Sequence, residues 1–154
     1  MRRVRTLVPA ALLSLGLATA AFTGVAAAGG ELSKKEYKAE INDLCATANE
    51  DLGAVFEDVF AELEEGDEPT PEQQQAAADG ALPIFRQMLD DIADLDGPKA
   101  LEKQVGKLVD GYRDVADEIE DDPAVVFSAD AKDPFKKLDK QAKKLGLTEC
   151  AQSG

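Results

Sequence analysis

The 154-residue chain contains no histidine and no tryptophan, and it has only two cysteines. Without histidine it lacks the general base of hydrolase triads and the common protein ligand of catalytic zinc and of haem. Outside the first 28 residues, serine occurs only at positions 33, 128 and 153, never within the G-x-S-x-G pattern of hydrolases. We therefore predict a protein that is not an enzyme and holds no cofactor.

Basic residues are also scarce, with 17 Lys and Arg against 31 Asp and Glu. Residues 29–154 alone carry a formal charge of −17, because the first 28 residues contain three arginines and no acid. Such a charge repels phosphate backbones and excludes nucleic acid as a partner. The length is that of one domain, which we place at residues 29–154.

The first 28 residues have the three parts of a secretory signal peptide. Arg2, Arg3 and Arg5 precede a largely apolar stretch, and small residues at positions 26–28 are followed by a polar flank. We predict cleavage after Ala28 and a secreted or envelope-associated product without a stable membrane span. A retained anchor is the alternative, since the apolar stretch is long enough to cross a bilayer. General secretion and twin-arginine export both stay open.

The two cysteines, Cys45 and Cys150, lie near opposite ends of the exported chain. Disulfides persist in oxidising compartments, and no third thiol competes for pairing. The separation does not fit a C-x-x-C redox pair, and two thiols are too few for a structural zinc site. We predict one structural disulfide.

Helical periodicity dominates the rest of the sequence, and no segment shows the alternation of a strand. A first helix is predicted from residue 34 to about 65, opened by a capping box at Ser33 and ended by Gly66. A second opens at Thr70-Pro71 and ends at Gly97-Pro98. Pro83 lies inside the second helix and is expected to kink or split it.

The third predicted helix has apolar residues in alternating steps of four and three, the pattern of a helix–helix seam. They are Leu101, Val105, Leu108, Tyr112, Val115 and Ile119. It ends at Pro123, and an apolar connection with residues 125–127 follows. A short fourth helix opens at Asp133-Pro134 and ends at Gly146. Short connections favour antiparallel neighbours, so we predict an all-α, up-down-up-down four-helix bundle closed by the disulfide.

This layout resembles a group of small exported helical proteins of actinobacteria that have no assigned activity. The likeness lies in the signal peptide and in three segments, Leu32-Ser33-Lys34-Lys35-Glu36-Tyr37, Asn42-Asp43-Leu44-Cys45 and Leu145-Gly146-Leu147-Thr148-Glu149-Cys150. The resemblance implies a helical fold and an extracellular address, and it brings no catalytic residue. Many of those proteins look lipid-anchored, whereas this chain has no cysteine near the cleavage site.

Two charged faces are candidates for weak binding. A carboxylate stripe on the third helix is either a solvated face or a weak divalent-cation site, although no EF-hand loop is present. Its members are Asp110, Asp114, Asp117 and Asp121. The exposed side of the fourth helix is either solvated or a basic patch for an anionic envelope component. Its members are Lys136, Lys140 and Lys143.

The apolar sector of the first helix widens in its second half, at Phe56, Phe60 and Leu63. A wide sector contacts two neighbouring helices, forms a patch for a partner, or lines a pocket for an apolar ligand. The pocket would need an enclosed cavity among Phe56, Phe85, Met88 and Tyr112. We predict a secreted binding or interaction module whose partner is an unknown protein or envelope component. A carrier of a small apolar ligand and a weak calcium-binding protein are the alternatives.

Overall fold

A computed structural model describes residues 31–64, 67–128 and 132–151. Within these ranges the protein is all-helical, with five α-helices, a short C-terminal 3₁₀ turn and no strand. The elements are α1 (Lys34–Val59), α2 (Pro71–Ala93), α3 (Lys99–Asp121), α4 (Ala124–Phe127), α5 (Lys136–Leu145) and the C-terminal turn (Glu149–Ala151). The signal peptide predicted for residues 1–28 lies outside the described residues.

Both predicted capping boxes are present and set the starts of α1 and α2. Ser33 Oγ accepts from the Glu36 N–H at 3.3 Å, and the Glu36 carboxylate accepts from the Ser33 N–H at 3.0 Å. Thr70 and Gln73 repeat this exchange at 3.3 and 2.9 Å. Each pair satisfies backbone N–H groups that have no partner within the helix. The bonds from Ser33 also lower the pKa of Glu36.

The first helix is shorter than predicted. It ends at Val59 and gives way to a turn over residues 60–62, so the predicted end near residue 65 is wrong. Its 26 residues span about 39 Å at 1.5 Å per residue. The last turn carries Glu57 and Asp58 and no basic residue, and Glu62 and Glu64 follow. Negative charge at this end opposes the helix dipole, which accounts for the early termination.

The second helix runs unbroken through Pro83, so the split considered from the sequence does not occur; a kink there stays a prediction. Pro83 is exposed. The nearby Gly80 serves close packing, because a Cβ there would lie 2.7 Å from a methyl carbon of Val55 on α1. The helix ends at Ala93, ahead of the predicted end at Gly97. Its last turn also lacks a basic residue that would favour continuation.

The third helix confirms its predicted seam, since all six seam residues are buried. The connection that follows differs from the prediction, because residues 124–127 form one helical turn, α4, whose side chains are half-buried. At the end of α5, Gly146 has the left-handed φ of 79° that favours glycine. The N–H of Leu147 then donates to Ala142 O at 2.9 Å, and the Leu147 side chain is buried.

The first three helices pack against their neighbours in the chain. α1 packs against α2 and the C-terminal turn, α2 against α3 and α4, and α3 against α4 and α5. The largest fully buried side chains are Ile41, Leu89, Leu147 and Cys45. The disulfide Cys45–Cys150 is present and joins α1 to the C-terminal turn across 105 positions of sequence. In the described ranges, no helix combines the length and the apolar character needed to cross a membrane.

We expect Gly97→Ala to destabilise the fold. Gly97 is buried, and an added Cβ would collide with the ring of Tyr37, which is itself only 2% exposed. Forcing that ring to move should lower the free energy of unfolding by about 1–3 kcal/mol, measured by urea denaturation. Gly106→Ala is the matched control, because its Cβ meets open space on α3 and should stabilise by up to about 1 kcal/mol. Equal effects of the two changes would contradict this packing.

Removing the disulfide with Cys45→Ser should lower the melting temperature. The bond closes a loop of about 100 residues, for which the chain-entropy model gives up to about 4.7 kcal/mol. Cys150→Ser should have a similar effect, and wild type under reducing conditions should melt like either variant. Untreated protein should contain no thiol that an alkylating reagent can label; two labelled thiols would show that the pairing is wrong.

Candidate functional site

An apolar cavity of about 520 Å³ lies between the helices. Its walls come from the middle and second half of α1, from most of α2, from α3 and from α4, with Phe135 and the C-terminal residues completing it. The carrier alternative requires an enclosed cavity among Phe56, Phe85, Met88 and Tyr112; all four residues line this cavity, which is partly open to solvent. A volume of this size falls within the range of small-molecule binding sites.

The second half of α1 borders this cavity instead of a packed core. All four buried residues of α1 lie between Tyr37 and Ala48. Further along, Leu52 and Phe56 line the cavity and are half-buried. Gly53 lies on the same side, is exposed, and has space around the position of a Cβ. The cavity therefore reaches the surface beside Gly53.

No charged side chain lines the cavity within the part of the chain that the structure describes. The polar side chains in its wall are Asn49 and Tyr112. Tyr112 Oη lies 2.9 Å from Cys150 O and 3.2 Å from Asp139 Oδ1, so its single proton is already engaged. Asn49 Nδ2 donates to Glu149 O at 2.8 Å. The cavity is therefore suited to an uncharged, largely apolar molecule.

The C-terminal segment, residues 146–151, closes one end of the cavity and is held there by side chains of α1. Asn42 donates to Gly146 O at 3.1 Å and accepts from the Glu149 N–H at 3.0 Å. Asn49 and the disulfide add two more attachments. Neither asparagine was predicted from the sequence to have this role. They lie three and four residues from Cys45, on one helical face, and that spacing was the available signal.

Aromatic rings form two clusters at the cavity. Phe56 stacks on Phe60 at 6.2 Å between ring centroids, and both meet Phe127 of α4 edge-on at 6.0 and 5.8 Å. In the second cluster, the rings of Phe85, Tyr112 and Phe135 lie 5.9–6.1 Å apart. Such edge-on and tilted pairs are favourable geometries for aromatic rings.

The members of the predicted interaction patch have different surroundings. Phe56 lines the cavity, and Phe60 lies behind it against Phe127. Leu63 is half-buried in the segment after α1, where its N–H donates to Phe60 O at 3.0 Å. A partner-binding role for these three residues stays a hypothesis.

The charged faces lie on the outer surface, where the sequence placed them. Lys136, Lys140 and Lys143 are exposed on α5. On α3, the four aspartates of the carboxylate stripe are exposed as well. Among the residues that the structure describes, no three potential metal ligands come together. The basic patch therefore lies on the surface as one face of α5, and its anionic partner stays a prediction.

Arginines of α2 and α3 form ion pairs with part of the acidic surface. Arg86 contacts Asp117 at 2.8 Å and Glu120 at 2.6 Å, and Arg113 contacts Asp90 at 2.6 Å. The bonds from Arg86 lower the pKa of Glu120. These pairs tie α2 to α3 at the surface, where each contributes little to stability.

No protein-family model matches the chain, and neither a curated protein nor a solved structure shows significant similarity to it. The likeness to exported actinobacterial proteins therefore stays an expectation.

Alkaline pH should unfold the protein through its two tyrosines. Burial, with the nearby Asp139 carboxylate, raises the pKa of Tyr112, and burial with Glu102 raises the pKa of Tyr37. A raised pKa in the folded state means that this stability is intact below the ordinary tyrosine pKa of about 10 and falls above it. Tyrosinate absorbance and loss of helical circular dichroism should therefore rise together.

Tyr112→Phe is the comparison variant, because its ring cannot ionise. It should lose some stability at neutral pH through the broken hydrogen bonds, and its alkaline unfolding should move to higher pH. Tyrosinate formation near pH 10 with the helical signal intact would contradict the burial of both phenols.

Proposed function

We propose that this protein is a secreted, non-enzymatic carrier that binds a small apolar ligand in the cavity between its helices. The observation that carries the proposal is the cavity of about 520 Å³ with no charged side chain in its described wall. A chain that needed only a folded core would gain stability by filling this space, because burying the apolar surface that the open cavity leaves in contact with water is favourable.

The distribution of aromatic residues supports a binding role. Residues 31–151 contain seven aromatic side chains, of which five line the cavity. They are Phe56, Phe85, Tyr112, Phe127 and Phe135. Aromatic side chains offer large, rigid contact areas with few rotatable bonds, which suits them to holding an apolar molecule.

Secretion is part of the same proposal. The disulfide fits an oxidising compartment, which agrees with the signal peptide proposed for residues 1–28.

We infer that α1, α2, α3 and α5 alternate in direction around the cavity as a four-helix bundle. Packing of α1 on α2, of α2 on α3 and of α3 on α5 supports this order, as does the short connection at residues 94–98.

Closing the open side of the cavity tests the proposal. Gly53→Phe places a ring on the helical face that Asn49 and Phe56 share, where the added Cβ meets open space. The variant should fold as well as wild type, since it loses an unfavourable helical glycine. Its affinity for a neutral fluorescent probe such as aminoanthracene should fall at least about tenfold, a loss of about 1.4 kcal/mol.

Gly106→Phe is the matched control for that change. Gly106 also lies in a helix and has open space around it, but it does not line the cavity. This variant should gain the same helix propensity and keep the affinity of wild type for the probe. Equal probe binding by wild type and Gly53→Phe would refute the cavity as the binding site.

A further inference from the structure

The hydrogen-bonding groups in the cavity wall define the class of ligand more narrowly than the apolar surface does. Asn49 is the one amide among the lining residues of the described chain. Its Nδ2 donates to Glu149 O at 2.8 Å, which fixes the plane of the amide. The carbonyl oxygen, Oδ1, makes no hydrogen bond within the described part of the chain. Because no buried side-chain oxygen there lacks a partner, Oδ1 is accessible to solvent and free to accept a hydrogen bond.

The uncharged lining disfavours a carboxylate or an ammonium group in this cavity. A carboxylate would find no cation in the described lining and would enter a protein whose residues 29–154 carry a net charge of −17. An ammonium group would find no carboxylate in the same lining. Burying either charge without a partner is strongly unfavourable. An uncharged polar group meets neither penalty.

The volume sets the size of the molecule. A cavity of about 150 Å³ accommodates one benzene molecule. By that scale, a cavity of about 520 Å³ holds roughly 20 carbon atoms. Its wall offers one free acceptor at Asn49 and otherwise hydrocarbon and aromatic surface, apart from the engaged phenol of Tyr112.

We propose that the ligand is a neutral, mostly hydrocarbon alcohol of at most about 20 carbon atoms, whose hydroxyl group donates a hydrogen bond to Asn49 Oδ1. This inference rests on the proposed function, since it requires that the cavity binds a ligand at all. It assigns to Asn49 two roles, because the nitrogen holds the C-terminal segment and the oxygen orients the ligand.

Four probes of equal chain length separate the chemical alternatives: dodecanol, its methyl ether, dodecanoate and dodecylamine. Each competes with bound aminoanthracene on the wild-type protein at neutral pH, below its micelle-forming concentration. Dodecanol should displace the probe at concentrations about tenfold lower than the ether, which lacks the donor, as expected for one hydrogen bond. Dodecanol should also displace the probe at concentrations at least about tenfold lower than dodecanoate or dodecylamine.

The variants test the role of Asn49. Asn49→Leu should remove the preference for dodecanol over the ether and leave ether binding close to wild type. Asn42→Leu is the control, because Asn42 also holds the C-terminal segment but does not line the cavity. It should keep the preference. Loss of the preference in both variants would show that Asn49 acts only by holding the segment, and it would overturn the inference.

The outcomes distinguish this inference from the proposed function. Equal displacement by dodecanol and its ether, or tightest binding of dodecanoate or dodecylamine, would overturn the alcohol assignment while leaving a ligand-binding cavity. The ether comparison uses only wild-type protein, so it holds even if Asn49→Leu fails to fold. Absence of aminoanthracene binding, together with no heat of binding for any of the four molecules in calorimetric titration, would refute the carrier function itself.

Discussion

The attachment of the C-terminal segment to α1 is the constraint on which the rest of the structure depends. α1 packs closely on α2 and on the C-terminal turn, whereas α5 packs on α3 and on the same turn. The disulfide and the bonds from Asn42 and Asn49 hold this segment in place, and Tyr112 reaches it from α3. The segment therefore sets the separation between α1 and the helices opposite, and the cavity occupies that separation.

This arrangement divides the molecule into two parts with different packing. Around Tyr37 and Ile41 the side chains are almost fully buried, and Gly97 lies so close that no Cβ fits beside the Tyr37 ring. Beyond Ala48, the residues of α1 are at most half-buried. Because the open cavity leaves apolar surface unburied, the tightly packed end and the disulfide supply stability that the open end lacks. The disulfide lies beside the cavity and so stabilises the less closely packed part of the molecule.

Local patterns in the sequence predicted much of this fold. The capping boxes at Ser33 and Thr70, the seam of α3 and the glycine at the end of α5 depend on neighbouring residues, so they could be identified without a structure. The disulfide followed from having two cysteines and no other thiol. Sequence periodicity also placed Phe56 and Phe60 in a widened apolar sector.

What the sequence did not predict depends on contacts between distant segments. The sequence indicated no packing role for Gly80, whose lack of a side chain lets Val55 of α1 pack closely against α2. The asparagines at 42 and 49 resembled ordinary polar positions until the C-terminal segment supplied their partners, 100 or more positions away. The end of α1 was missed because the apolar pattern continues to Leu63, while the acidic residues at that end oppose the helix dipole.

The few aromatic residues of the described chain are concentrated at the cavity, and this distribution supports a binding function. In the described chain, Tyr37 alone among the aromatic residues lies apart from the two ring clusters, at the tightly packed end. Aliphatic side chains such as Leu89 and Val105 make up most of the remaining wall of the cavity. Aromatic side chains offer large, rigid contact surfaces to an apolar ligand. Their concentration around one space therefore favours a site for a ligand over a defect in packing.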